Sequence, residues 1–396
     1  MNTNRRCAQV RLKKDLVREI KRGHAWLYSH AMDAFEVPPG TVVAIWDRKG
    51  EKQIASGIAD PEHPIPIRVC RTEAPFELDQ TWLLQRLHAA RRLRRQAFDK
   101  STNGFRLLHG EGDGLPGVIV DVYGETAVLK IDGGAPAAFF DSQWLATWLM
   151  KNMQLERVVL RPRERGRVGD VIAGAALAQP ETISFLENGM QFAADVLRGQ
   201  KTGFFLDQRD NRDLVRRIAK KLEVLNLFSY NGGFSVAAGR GGASRVDSVD
   251  LAKPAIEAAK EHWLQNGLPE DLHVGTAQDC FEYLESSVKE KRKWDFVICD
   301  PPSFAPSEKA RPQALVAYGK LARLASRATR AGGFLALASC SSHVDAKTFR
   351  QVNLEALGKA RRKATLLSER GLPIDHPTPM AMPELRYLKF LLFRLD

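Results

Sequence analysis

From about residue 184 to the C-terminus, short apolar runs alternate with amphipathic helical runs, and few folds accept that alternation. KLEVLNLF (221–228), RVDSVD (245–250), LHVGTA (272–277), WDFVICD (294–300), GGFLALASC (332–340) and LRYLKFLLFRL (385–395) read as strands. Between them LAKPAIEAAKEHWLQNG, FEYLESSVKEKR, residues 313–330 and FRQVNLEALGKARRK carry helical spacing. A strand that returns through a helix to a parallel neighbour does so right-handedly, so repeated βαβ units predict a parallel, doubly wound sheet. In such a sheet ligands bind beyond the carboxyl ends of the strands, so the residues just after each strand are the ones to read for chemistry.

Upstream the texture differs. Residues 1–75 pair β-like runs, GTVVAIWD (40–47) and IPIRVC (65–70), with a short basic helix in 16–26 that ends near Gly23 and a Gly- and Pro-punctuated stretch at 47–64. Residues 76–183 open on a helix, FELDQTWLLQRLHAARRLRRQAF, then read as two strands meeting at Tyr123-Gly124, a second helix and a strand at 157–162. The expected class is α/β, with a small β-rich domain (1–75), a central α+β domain (76–183) and the sheet domain (184–396). Such a division suits 396 residues at roughly 150 per domain.

Composition excludes several classes. Five cysteines, none in a CxxC pair, make neither a disulfide scaffold nor a zinc ribbon. The charged N-terminus lacks the apolar core of a signal peptide, and no run is long enough to span a bilayer, so a cytoplasmic protein with no membrane partner is expected. The net charge is +12. Its basic residues cluster at Arg5–Arg22, at Arg91, Arg92, Arg94 and Arg95, and at Arg161, Arg163, Arg165 and Arg167. Such clusters suit a polyanion, and the expected RNA grip lies in them.

The strand ends carry the chemistry. After the first strand stand Phe228, Ser229, Tyr230, Asn231, Gly232 and Gly233, and the second strand ends in Asp250, 18 residues after Gly232. A glycine loop followed by an acid at the next strand end suits an adenosine ribose. NGGFS is not GxGxxG, and GxxxxGK[ST] is absent, so a cofactor without a pyrophosphate fits better than NAD. S-adenosylmethionine is the expected cofactor, with Asp279 placed to take the adenine amino group and Asp207 and Arg209 placed to fold over it. A tight strand–helix turn with no ligand is the plainer alternative.

The fourth strand ends in Asp300-Pro301-Pro302-Ser303-Phe304. Two prolines make a stiff loop with free carbonyls for a base edge, and Phe304 offers a stacking face. The next strand ends in Ser339-Cys340-Ser341-Ser342, where a thiolate has room to attack C6 of a pyrimidine and activate C5. Alone, a strand-end cysteine is more often a small buried hydrophobe. Cys299, Cys70 and Cys280 read as core, Cys7 as surface, and His376 as structural.

GHAWLYSHA, EGDGLPGVIVDVYG (111–124), KTGFFLDQRDNR (201–212), LNLFSYNGGFSVAA (225–238), DPPSF (300–304) and ASCSS (338–342) together resemble the bacterial large-ribosomal-subunit cytosine-5 methyltransferase I family over nearly the whole chain. The resemblance implies a PUA domain, a central domain and a class I methyltransferase domain. It also implies methylation of C5 of a cytosine in 23S rRNA, or in a large-subunit precursor, by a monomer or homodimer. By position it makes Cys340 the nucleophile and Asp300 the acid that holds N3 and the amino group. One departure is that broader RNA cytosine-5 methyltransferases often carry a second Cys where Ser303 stands here. Relatives that methylate guanine need no thiol, which leaves a base-nitrogen methyltransferase, or a non-catalytic ribosome-assembly factor, as the alternatives; the SCS triplet favours cytosine.

Overall fold

The computed structural model describes residues 7–164, 166–177 and 182–396, so Arg5, Arg6 and Arg165 of the basic clusters lie outside the described residues. The chain divides into two compact units, Met1–Leu186 with Ala193–Leu206 and Ile374–Pro383, and Glu187–Phe192 with Asp207–Pro373 and Glu384–Asp396.

The first unit holds two five-stranded sheets. One runs, in spatial order, Ala8–Arg11, Thr41–Trp46, Gln53–Ala59, Ile67–Arg71 and Trp26–Leu27. Its third strand lies inside the stretch expected to be turns. Gly57 is the reason: a Cβ there would lie 2.5 Å from the Arg68 carbonyl oxygen, so this glycine marks a close strand crossing and not a turn. The basic helix is Val17–Lys21, capped at Arg22 next to the expected end near Gly23.

The second sheet runs Asp170–Gly174, Arg157–Leu160, Thr126–Ile131, Val118–Tyr123 and Gly104–His109. Helices Gln80–Ala97 and Ser142–Met153 begin on Asp79 and Asp141, whose carboxylates accept from the first-turn amides. The first of these helices corrects the charge reading. Its buried stripe is Trp82, Leu83, Leu87, Ala90 and Arg94, residues that recur at helical spacing. Arg94 is 1% exposed and grips Asp113 with both terminal nitrogens at 2.6 and 2.8 Å. It belongs to the core of this unit and is not available to a polyanion. Arg92 and Arg95 are exposed and Arg91 half-buried. In the third cluster Arg161 donates to the carbonyls of Val196 and Gly199, and Arg167 pairs with Glu164 at the surface.

The second unit is built on a seven-stranded sheet: β1 (Glu223–Leu227), β2 (Arg245–Asp250), β3 (His273–Ala277), β4 (Trp294–Cys299), β5 (Thr329–Ser339), β6 (Ala364–Arg370) and β7 (Lys389–Leu395). The spatial order is β3-β2-β1-β4-β5-β7-β6. The first five strands are parallel, as the βαβ pattern predicts. The last two are antiparallel to their neighbours, with β7 between β5 and β6. β6 carries no clear alternation because it is an edge strand with four of its seven residues exposed. The helices are α1 (Arg209–Ile218), α2 (Gly233–Arg240), α3 (Lys253–Gln265), α4 (Cys280–Lys289), α5 (Arg311–Ala328) and α6 (Ala346–Lys359). The order reverses between β1 and β4, so the carboxyl ends of these two strands flank the switch point where an open sheet binds its ligand.

Candidate active site

The loop after β1 is held open by backbone geometry that few side chains tolerate. Phe228 and Tyr230 have φ of 57° and 47°, and Gly232 has φ of 78°. Non-glycine residues at positive φ persist only where their surroundings fix them. Here the Ser229 amide donates to the Val249 carbonyl, the Tyr230 amide to Asp250 Oδ2 at 2.9 Å, and the Phe228 amide to Cys280 Sγ at 3.2 Å. The Asn231 carbonyl contacts His262 Nδ1 at 2.8 Å. Gly232 is required by packing: a Cβ would meet Ala259 of α3 at 2.7 Å. Beneath the loop runs a buried chain of polar groups. Asn226 donates to Ser235 Oγ, which contacts Ser248 Oγ, which contacts His273 Nε2 at 2.7 Å. Burial and the nearby Lys260 hold the His273 imidazole down to about 4, so it is neutral at pH 7.

Asp250 is fixed on both sides. Oδ2 takes the Tyr230 amide and Oδ1 the Ala252 amide at 2.9 Å, which leaves each oxygen a lone pair and one orientation. Asp279 caps α4, accepting from the Phe281 and Glu282 amides at 2.8 and 3.0 Å. Nearby stands an aromatic group of which the sequence motifs show only part. Phe228, Phe281 and Phe304 lie 6.2–6.4 Å apart by ring centroids, and Phe304 continues to Tyr318 at 4.9 Å. Phe281 is invisible in a motif scan because it sits in the first turn of an ordinary amphipathic helix. The Ser229 hydroxyl is buried here with no hydrogen-bond partner among the described residues. That costs about 1–3 kcal/mol unless a polar ligand edge satisfies it. An acid aimed by two amides, an unsatisfied hydroxyl and flat apolar faces are the donor set a nucleoside needs.

On the other side of the switch point, Asp300 is half-buried at the end of β4, Pro301 is buried, and Pro302 and Ser303 are exposed. This loop is tied to the one after β5. Ser341 Oγ contacts Ser303 Oγ at 3.1 Å, accepts from the Ala305 amide at 3.2 Å, and meets the Tyr318 hydroxyl at 2.8 Å. Tyr318 also reaches Ser339 Oγ at 2.9 Å. Burial pushes the Tyr318 phenol up, so it stays protonated and serves as a clamp. Cys340 lies between the two clamped serines. It is half-buried, whereas Cys70, Cys280 and Cys299 are buried and Cys7 is exposed. Burial pushes the Cys280 thiol to about 12 and the Cys299 thiol well above its ordinary value. Neither of those two forms a thiolate at neutral pH.

Phe228 lies against Phe304, Tyr230 binds Asp250 and Ser303 contacts Ser341, so the segments after β1, β2, β4 and β5 adjoin at one edge of the sheet. Asp207 accepts from the Tyr387 hydroxyl at 2.8 Å, and Arg209, 2% exposed, pairs with Asp210; neither of these contacts involves the glycine loop. His376 is buried and contacts its neighbour Asp375 at 3.0 Å. Among the described residues no His, Cys, Asp or Glu cluster could hold a metal ion.

A family model for S-adenosylmethionine-dependent methyltransferases matches residues 145–343, and one for a PUA-like domain matches 10–72. A ribosomal RNA large subunit methyltransferase of Deinococcus radiodurans is 36% identical across 98% of this chain and 97% of its own length. A ribosomal RNA large subunit methyltransferase I of Alteromonas mediterranea is 32% identical across 97% and 98%. The chain belongs to the ribosomal RNA large subunit methyltransferase I family. Its cofactor is S-adenosylmethionine. The same fold is seen in a SAM-dependent methyltransferase from Streptococcus mutans, 25% identical, with a TM-score of 0.84 over 98% of this chain and all of that one. A crystal structure of a methyltransferase complexed with SAH gives 0.85 at 25% identity over 98% of this chain and 99% of that one. The present chain joins a PUA-like module to the methyltransferase sheet. No helix among the described residues is long and apolar enough to cross a membrane.

Proposed function

We propose that this chain methylates C5 of a cytosine in 23S rRNA, or in a large-subunit precursor, through a covalent adduct on Cys340. The carrying observation is the clamped Cys340 loop. Of the five cysteines it alone is neither buried in the core nor on an outer edge, and Ser341 ties it to the loop that presents Asp300. The relatives' names supply the RNA.

When bound, S-adenosylmethionine supplies an electrophilic methyl group. Asp250 would hold its ribose hydroxyls and Asp279 the adenine amino group, with Phe228, Ser229, Asn231, Gly232 and Gly233 lining the pocket and Asp207 and Arg209 covering it. The Cys340 thiolate adds to C6 of cytosine, which moves electron density to C5. Asp300 in its protonated form donates to N3 and accepts from the amino group, so the negative charge developing on the ring is held by the carboxyl proton. The free carbonyls of Pro301 and Pro302 fix the base edge and Phe304 stacks on its face. After methylation, water takes the C5 proton, the double bond re-forms, Cys340 leaves as the thiolate, and the N3 proton returns to Asp300. No second thiol stands in this loop, because Ser303 holds that place and Cys299 is fully buried.

The three-part division into 1–75, 76–183 and 184–396 belongs to the same proposal, with 1–75 as an RNA-binding module and the protein acting in the cytoplasm as a monomer or homodimer. Mass spectrometry of 23S rRNA from cells with and without the protein tests the reading. A 5-methylcytosine that disappears with the protein, and with Cys340→Ala, is expected. A lost N-methylguanine in its place would show base-nitrogen chemistry and a structural Cys340.

A further inference from the structure

β7 runs antiparallel to β5, and this reverses which of its ends meets this edge of the sheet. The parallel strands offer their carboxyl ends there; β7 offers its first residue, Lys389, paired with Ser339 at the last position of β5. Cys340 is the next residue after that pair. The sequence KFLLFRL gives no sign of a role for its lysine, which looks like the polar start of an apolar strand.

In the fold Lys389 is 4% exposed. Its ammonium donates to the Ser341 carbonyl at 2.5 Å and to the Tyr387 carbonyl at 2.7 Å, both neutral groups. Both hydrogen bonds go to the backbone, and neither partner is a carboxylate. A buried cation whose hydrogen bonds go only to neutral groups is costly. The groups that act on it electrostatically are Cys340 and, at the start of α6, Asp345. Asp345 is engaged in capping α6, where its carboxylate accepts from the Thr348 amide and hydroxyl. From α5 the Tyr318 phenol also faces Cys340, and it is protonated. The anions this cation faces are therefore Asp345, whose carboxylate is already engaged at the helix start, and Cys340 when it is ionised.

We propose that Lys389 is the positioning residue of Cys340: it fixes the Ser341 carbonyl, and with it the loop after β5, and its positive charge favours the thiolate form of Cys340. This rests on the reading of Cys340 as the nucleophile. Burial drags the ammonium down to about 8, so it is still mostly charged at pH 7 and loses that charge in mildly alkaline solution. The thiol and the lysine therefore work together over a limited pH range.

The test is the pH dependence of Cys340 alkylation by iodoacetamide, followed by peptide-resolved mass spectrometry on the full chain without RNA or cofactor. Wild type, Lys389→Met and Lys389→Arg are compared after circular dichroism shows that each is folded. An opposite charge nearby favours the thiolate by about tenfold or more, so Lys389→Met should raise the midpoint by about one pH unit and slow alkylation roughly tenfold at pH 7. Lys389→Arg keeps the charge and should stay within about twofold of wild type. A midpoint unchanged in Lys389→Met would overturn the proposal, because a merely structural lysine alters access and not the titration. A shift in Lys389→Arg as large as in Lys389→Met would overturn it as well. Alkylation reads the thiol and not the reaction. If Cys340→Ala still methylated RNA fully, the nucleophile reading would fall while the Lys389 titration result stood.

Discussion

Arg94 separates a structural from an RNA-binding origin for the basic residues on helix Gln80–Ala97. The perturbation is Arg94→Ala, set against the triple change Arg91→Ala, Arg92→Ala and Arg95→Ala. Arg94 donates twice to the Asp113 carboxylate, once to the Arg106 carbonyl at 2.9 Å and once to the Asp375 carbonyl at 2.7 Å. Removing it leaves Asp113, a side chain 6% exposed, with the His109 amide as a remaining donor. Breaking a buried pair from one side costs about 3–5 kcal/mol, because the surviving charge stays desolvated. Urea denaturation followed by tryptophan fluorescence reads this as a fall in midpoint for the transition of the first unit. The triple change should leave that midpoint nearly still, since surface substitutions cost within about 0.5 kcal/mol each. It should instead weaken RNA binding and reduce the slope of log K against log salt by about 2–3, at roughly 0.7–0.9 for each phosphate no longer neutralised. If Arg94→Ala left the midpoint in place and lowered the salt slope, the burial argument would be refuted. If the triple change altered cofactor affinity, the assignment of these arginines to RNA would be.

The other predictions are shorter. Asp250→Ala removes the acceptor of two amides and the proposed ribose contact, so calorimetry should show S-adenosylmethionine binding weakened at least about tenfold; unchanged affinity would remove Asp250 from the site. Tyr318→Phe deletes the hydroxyl that bridges Ser339 and Ser341, which should cost about 1–2 kcal/mol and lower kcat more than KM, because it loosens the loop and not the cofactor pocket. His273 is held down to about 4 from an ordinary value near 6.5. The unfolded chain therefore binds the extra proton first on acidification, and the stability from the neutral ring is present above about 6.5 and lost as pH falls toward 4. His273→Gln should flatten the acid limb of a stability-versus-pH curve over that window; an identical curve would show that another group governs it.

Much of the second unit is legible in the sequence because its chemistry is written at strand ends. Asp250, Asp300 and Cys340 follow apolar runs, and topology alone sends such positions to one edge of the sheet. What the sequence hides depends on partners far away along the chain. Arg94 looks like its neighbours until Asp113 and the Asp375 carbonyl are seen to receive it, although the spacing from Leu87 and Ala90 already puts it on the buried stripe. Gly57 reads as a turn residue because a close backbone crossing and a turn both call for glycine. β6 has too little alternation to show, as an edge strand does not need a second buried face. Lys389 is hidden for the opposite reason. It reads as the polar start of an otherwise apolar run, and only the antiparallel register brings it beside Cys340. In the cofactor loop, Gly232 serves a purpose its motif does not suggest, since it makes room for Ala259 of α3.

The central claim, methylation through a Cys340 adduct, is tested most directly by trapping. The full-length protein is incubated with S-adenosylmethionine and a 23S rRNA transcript carrying 5-fluorocytosine. Fluorine at C5 cannot leave as a proton does, so the sulfur cannot be expelled and the complex survives denaturing electrophoresis. The account predicts a stable protein–RNA band, a nuclease-trimmed nucleotide on the Cys340 peptide by mass spectrometry, and no band with Cys340→Ala. A methylated RNA product with no trapped band, or a band that persists in Cys340→Ala, would contradict it.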